Sequence, residues 1–174
     1  MLPEWSGFGH EDDKVIRGDM LDEGVDLLMQ LWSGEPVDHT GTHYSIHCDG
    51  FAPPVQKPGI PVWVAGVWPT KRPFRRAARW DGVVPLSPKL MEGDTFAPAE
   101  FAEVKTYIDG LRDTPRSHDY IQYGTTTGPE NAADTASYHD ARATWWMEMG
   151  VTPTALTPSP DDVLARIRRG PPRK

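Results

Sequence analysis

Gly66, Val67, Trp68, Pro69, Thr70, Lys71 and Arg72 follow an apolar run and place a glycine, a hydroxyl and two cations in one short loop. A glycine admits close backbone approach, a helix start offers unpaired N–H groups, and two cations add positive charge. The chemistry on offer is capture of a phosphate or another anion. The loop lacks the complete glycine pattern of a Walker or dinucleotide fingerprint. Arg75, Arg76 and Arg79 lie beyond the first helical turn, where anion capture fades, and read as a solvated face.

A second loop, Gly124 to Gly128 (GTTTG), follows the strand-like run YIQY. Thr125 and its neighbours can hydrogen-bond a phosphate or a polar ring edge, or cap the helix that follows. In TWWMEM, strand alternation puts Trp145 on one side and Trp146 with Glu148 on the other. The tryptophans serve as packing or as a stacking surface, and Glu148 is the carboxylate best suited to a ligand if it faces a barrel mouth. His39, His43 and His47 recur every four residues, but Pro36 and Gly41 argue against a helix. In a strand that spacing separates them by over ~12 Å, so a metal site is not expected. Neither a nucleophile-elbow motif nor HExxH occurs, which leaves hydrolytic triads and zinc proteolysis without support.

These loops need rigid elements to hold them. Pro61 to Ala65 (PVWVA) reads as a strand covered on both faces, Thr70 as an N-cap, and Phe74, Ala77 and Ala78 as the apolar face of a short helix. Asp81 and Gly82 then turn the chain into the strand GVVPL, which completes a βαβ unit. Ahead of it, Leu21, Val25, Leu28 and Trp32 mark a helix over Met20 to Trp32 that ends at Gly34, and Glu35 to Pro58 reads as a hairpin or irregular excursion. After it come a helix with Phe101, Val104, Ile108 and Leu111, a strand at Tyr120 to Thr126, a weaker helix around Ala132 to Ala143, and a strand at Thr144 to Met149. A last helix is capped by Ser159, with Pro160 first and Val163, Leu164 and Ile167 inward.

The resulting order is a helix, an excursion and then strand–helix alternation, which specifies an α/β fold with a parallel sheet, either doubly wound or part of a (β/α)8 TIM barrel. Such a barrel needs ~250 residues. At 174 residues the chain fits one domain, 1–174, with room for only about half of such a barrel.

Composition narrows the function classes. With 18 Lys and Arg against 25 Asp and Glu the net charge is -7, which argues against a nucleic-acid partner. No apolar run reaches the ~18 residues of a membrane span, the N-terminus lacks the order of a secretory signal, and the single Cys48 excludes an intramolecular disulfide. A cytoplasmic protein is expected. The 18 prolines fall at element borders, with a proline-marked connection at Thr152 to Pro160 and a mobile end, GPPRK.

At GTHY, PPVQKPGIPVWVAG, WPTKRPFRRAARWDGVVPL, ATWWMEM and RIRRGPP, from about Trp5 onward, the chain resembles the luciferase-like monooxygenase family of flavin-dependent oxidoreductases. The resemblance implies a (β/α)8 barrel that binds FMN or the related deazaflavin coenzyme at the carboxyl ends of its strands. Reduced flavin then activates oxygen or passes a hydride to a small-molecule substrate. Cofactor contacts would come from Gly66, Val67, Trp68, Thr70, Lys71 and Arg72, with Thr125 and Glu148 nearer the pocket, and no side chain stands out as catalytic. Family members carry about four earlier strand–helix units, so the chain resembles the C-terminal half of a barrel. It departs from the family at Ala65, where a second glycine is common, and at Arg142, where glycine is usual. A half barrel exposes two strand edges and its apolar inner face, which predicts either self-association to close a barrel or a poorly stable fragment. The alternative from another class is a non-catalytic remnant that binds a flavin, a phosphate ligand or a partner chain.

Overall fold

Asp13 opens the main helix of the N-terminal region by accepting the N–H groups of Val15 and Ile16 on Oδ1, at 2.7 and 3.2 Å. In the computed structural model, which describes residues 4–90, 95–126, 128–149 and 159–172, a single turn α1 (Glu4–Gly7) precedes this helix, α2 (Lys14–Leu31). The expected start at Met20 is therefore too late, because the Asp13 cap captures the backbone upstream of the apolar pattern. Leu27 is the buried residue of α2, whereas Leu21 is exposed. Gly34, at φ 87°, lets the chain turn after the helix.

The excursion is a hairpin of β1 (Val37–Thr40) and β2 (Ser45–Cys48), antiparallel, with Val37 opposite Cys48 and Thr40 opposite Ser45. One carboxylate from α2 organises its turn. Glu23 accepts the N–H groups of Thr42, His43 and Tyr44 at 3.1, 2.9 and 2.9 Å and the His39 Nε2–H at 3.1 Å.

Contacts divide the chain into two compact units, Met1–Ile60 and Pro61–Lys174. The second holds four strand–helix units in chain order: β3 (Trp63–Val67), α3 (Lys71–Ala77), β4 (Gly82–Leu86), α4 (Pro98–Asp109), β5 (Asp119–Gly124), α5 (Ala132–Asp140), β6 (Trp145–Glu148) and α6 (Pro160–Arg169). The strands form one parallel sheet in the order β3-β4-β5-β6. The chain is thus α/β with a four-stranded parallel sheet. A 3-10 turn, Pro129–Asn131, leads into α5. The Glu100 carboxylate accepts the Ala97 N–H at 3.0 Å at the start of α4, where Pro98 takes the first position.

The register sorts each strand into two faces. Val64, Gly66, Val83 and Tyr120 point toward the helices, where Val64, Val83 and Tyr120 join Phe74, Ala77, Phe101, Val104 and Ile108 in the core. Trp63, Ala65 and Val67 share the other face with Gly82, Val84 and Leu86, and with Trp145 and Met147 across β5. On that open face the edge residues Trp63, Val67, Trp145 and Met147 are exposed, while Ile121 and Tyr123 in the middle are buried. The expectation of a first strand covered on both faces is therefore corrected. β3 alternates exposed and buried residues because the described helices of its own unit pack on one side of the sheet, and it runs from Trp63 rather than Pro61.

The Trp63 and Trp145 rings meet on the open face with centroids 5.5 Å apart, although β4 and β5 lie between their strands. Gly82 makes room for this: a Cβ there would sit 2.6 Å from Trp63 Cδ1. Trp63 Nε1 also donates to Asp119 Oδ2 at 3.2 Å.

Two further expectations change. α6 starts as expected, with Ser159 Oγ accepting the Asp162 N–H at 3.1 Å, but Leu164 and Ile167 are exposed and its inward-reaching side chain is Arg166. Arg76, expected on a solvated face, is buried, while Arg75 and Arg79 are exposed. Residues 152–158 of the proline-marked connection, Thr127 and the last two residues of GPPRK lie outside the described residues.

Candidate functional site

Parallel strands deliver their carboxyl ends, and the loops after them, to one side of the sheet. The loop after β3 is built by backbone hydrogen bonds, Trp68 N–H to Leu86 O at 3.1 Å and Thr70 N–H to Val67 O at 3.1 Å. Thr70 occupies the N-cap of α3 in extended conformation, and its hydroxyl makes no capping bond.

The side chains from Gly66 to Arg72, which span the end of β3, the loop Trp68–Thr70 and the start of α3, turn to different neighbours. Gly66 faces α3, where a Cβ would lie 2.5 Å from Pro73 Cβ and 3.3 Å from Phe74 Cε2, so its lack of a side chain serves helix–sheet packing rather than approach to an anion. Trp68 packs edge-on against Phe74 and Tyr107, with centroids 5.1 and 5.6 Å away. Lys71 Nζ sits 3.4 Å from the Trp68 ring centroid and 4.3 Å from that of Tyr107, held by cation–π attraction against the helical layer. Val67 is exposed on the open face, and Arg72 is half-buried.

The loops after β5 and β6 meet in a compact polar knot. Glu148 accepts the Thr126 N–H on Oε1 at 2.6 Å, and on Oε2 the Thr126 hydroxyl at 2.7 Å and the Trp146 Nε1–H at 3.0 Å. Arg166 pairs with the same Oε2 at 3.2 Å, donates Nε–H to Thr126 O at 2.6 Å and Nη1–H to Gly170 O at 2.7 Å, and bonds Thr126 Oγ1. Burial alone would raise the Glu148 pKa, but the Thr126 donors, the Trp146 indole and the Arg166 guanidinium outweigh it and hold the carboxyl below its ordinary value. Because Glu148 shares the helix-facing side with Trp146, it does not face the open side that would line a barrel. Thr125 is exposed beside this knot, its hydroxyl 3.4 Å from Met149 O.

The structure therefore gathers Thr125, Thr126 and Glu148 in one place. It leaves Val67 and Thr70 open at the end of β3 and gives Trp68 and Lys71 to α4. Sequence reasoning passed over Arg166, whose signal is a basic residue among the few inward positions of an otherwise exposed α6. It also passed over Tyr123, whose buried hydroxyl accepts the Ser87 N–H at 3.0 Å and ties the ends of β4 and β5. Its strand position gave no hint of that partner. His39 and His47 are occupied by Glu23 and Asp38, at 3.1 and 3.6 Å, and among the described residues no three His, Cys, Asp or Glu side chains are placed to hold a metal.

Among the described residues no helix is long and apolar enough to cross a membrane. No curated protein matches the chain. A family model described as luciferase-like monooxygenase matches residues 3–89, half of the chain, including β3, the loop after it, α3 and β4. That family comprises oxidoreductases that generally use reduced flavin or a deazaflavin. With the match spanning the hairpin and the first βαβ unit, this chain belongs to the luciferase-like monooxygenase family.

Proposed function

We propose that the chain is a flavin-dependent oxidoreductase domain whose four strand–helix units form part of a (β/α)8 barrel and whose strand ends hold reduced FMN or deazaflavin. The observation that carries this reading is the parallel β3-α3-β4 unit, with its carboxyl-end loop, inside the segment matched by the family model. Val67, Leu86 and Met147 present apolar side chains on the open face near the strand ends, and Thr125 is exposed on the loop after β5. That surface fits a flat ring with a polar edge. Gly66, Trp68 and Lys71 contribute by fixing the loop backbone, Thr70 by its hydroxyl and Arg72 as the cation nearest a phosphate. Glu148 anchors Thr126, next to Thr125, beside the pocket.

When bound, the reduced cofactor supplies the hydride or electron pair that passes to oxygen or to a small-molecule substrate. The chain's part is to orient the ring and exclude water from one of its faces. A cytoplasmic setting and self-association belong to the same reading.

A second reading, binding without turnover, is favoured by the closure of Glu148 on Thr126, Trp146 and Arg166, which removes the nearest carboxylate from acid–base work. Titrating the chain into FMN, and separately into the deazaflavin, should quench cofactor fluorescence saturably for one of them. Oxygen-dependent oxidation of the bound, reduced cofactor then separates enzyme from binder, and absence of quenching with both cofactors defeats the two readings together.

A further inference from the structure

At the opposite end of the parallel sheet, where the chain enters β5 and β6, a cavity of about 540 Å³ opens beside the C-terminal ends of α4 and α5. Its wall carries the permanent cations Lys105, Arg112, Arg116 and Arg142 against one carboxylate, Asp109. The chain as a whole has a formal net charge of -7, so this concentration of positive charge runs against its composition. A recess lined by one sign of charge attracts the opposite one.

Three of the cations are fixed by protein partners. Lys105 bonds Asp109, which also accepts the Tyr120 hydroxyl. Arg112 donates to the carbonyls of Ala78, Trp80 and Arg116 at 2.9, 3.1 and 2.9 Å, and Arg116 pairs with Asp81 at 3.2 Å. Arg142 has no side-chain partner among the described residues.

The backbone of Arg142 is as informative as its charge. It holds φ at 70°, the one positive φ outside glycine among the described residues, just past the C-cap of α5. Glycine is preferred at that position because a Cβ crowds the backbone there. An arginine keeps the strain and gains a guanidinium on the cavity wall. Strain of this kind points toward function rather than toward stability.

His118 is half-buried on the same wall. Arg112 Nη1 lies 3.0 Å from His118 Nδ1, and a guanidinium can only donate, so Nδ1 carries the lone pair and the proton sits on Nε2. Trp80 O, 3.1 Å from Nδ1, already receives the Arg112 donor. Nε2 is buried without an acceptor.

We propose that this cavity binds a phosphate group, with the Arg142 guanidinium as its direct contact and Lys105, Arg112 and Arg116 supplying the field. A planar guanidinium matches a phosphate in bidentate geometry, and three pre-anchored cations need no reorganisation to receive it. The site lies at the strand ends remote from the loops assigned to the flavin, and it does not rest on that assignment.

Isothermal titration of the full chain with inorganic phosphate at low ionic strength tests the proposal. Saturable binding to one site is expected. Arg142→Gly should weaken it at least tenfold while keeping or raising the melting temperature, because glycine relieves the positive φ. Arg75→Gln removes the same charge from an exposed position of α3 outside the cavity wall and should leave the affinity within twofold. The proposal is overturned if the wild-type chain shows no saturable binding, if Arg142→Gly binds as tightly as the wild type, or if both variants weaken binding equally.

Discussion

Gly66 and Gly124 are small for the same reason, although they sit on different strands. At Gly66 a Cβ would meet Pro73 at 2.5 Å, and at Gly124 it would meet the Trp146 ring at 2.3 Å. Both face the helical side, where the neighbours are packed and cannot retreat. Gly66→Ala is therefore expected to destabilise the chain by about 1–3 kcal/mol, read as a fall in the urea midpoint, because overpacking forces a shift of α3. An unchanged midpoint would mean that α3 is loosely seated. Glu23 supplies a second prediction at this scale. The His39 hydrogen bond outweighs the cost of burial and, with the backbone N–H groups of Tyr44 and His43, holds its pKa down at about 2, from an ordinary 4.5. A depressed carboxylate stabilises the fold above its unfolded value, and that contribution fades as pH falls through the folded one. Stability should decline between about pH 4.5 and 2, and Glu23→Gln should lower stability at neutral pH and flatten the decline, followed by urea unfolding across that window.

α6 shows how an element can be legible at its boundaries and still be misjudged in its orientation. Ser159, Pro160 and the acidic first turn marked its start correctly, since capping is a local matter. Its inward side depended on Thr126 and Glu148, far away in the chain, which engage Arg166 while Leu164 and Ile167 stay exposed. Glu148→Gln leaves Arg166 half-buried without its counter-charge, at a cost of about 1–3 kcal/mol. Limited trypsin digestion should then cleave at Arg166, Arg168 or Arg169 faster than in the wild type; equal cleavage rates would show that α6 is held by other contacts. α2 teaches the complementary lesson, because its apolar spacing was visible but its start was set by the Asp13 cap upstream.

Among the described residues of the second unit, helices pack on one face of the four-stranded sheet, and the edge residues Trp63, Val67, Trp145 and Met147 are exposed on the other. Parallel sheets are usually covered on both faces, and exposed apolar residues at sheet edges favour association. Self-association is the expected outcome, measured by multi-angle light scattering as a mass at or above that of a dimer. A folded monomer at micromolar concentration would overturn it, and Trp63→Ser combined with Trp145→Ser should shift the distribution toward the monomer.

The α/β class and the order of helices and strands were legible in the residues themselves, because apolar periodicity, caps and proline or glycine punctuation act over a few neighbours, whereas the family was legible only through the resemblance of its motifs. The turn at Trp68 to Thr70 was found for the same reason, although Gly66 and Val67 belong to β3, Lys71 and Arg72 to α3, and Gly124 to β5. Which way their side chains point was decided only by tertiary structure: Tyr107 takes Lys71, Pro73 fills the space beside Gly66, and Arg166 closes on Glu148. Charge and hydroxyl content state what a loop could bind, but its free valences depend on partners from distant segments, and those meet only when the sheet assembles.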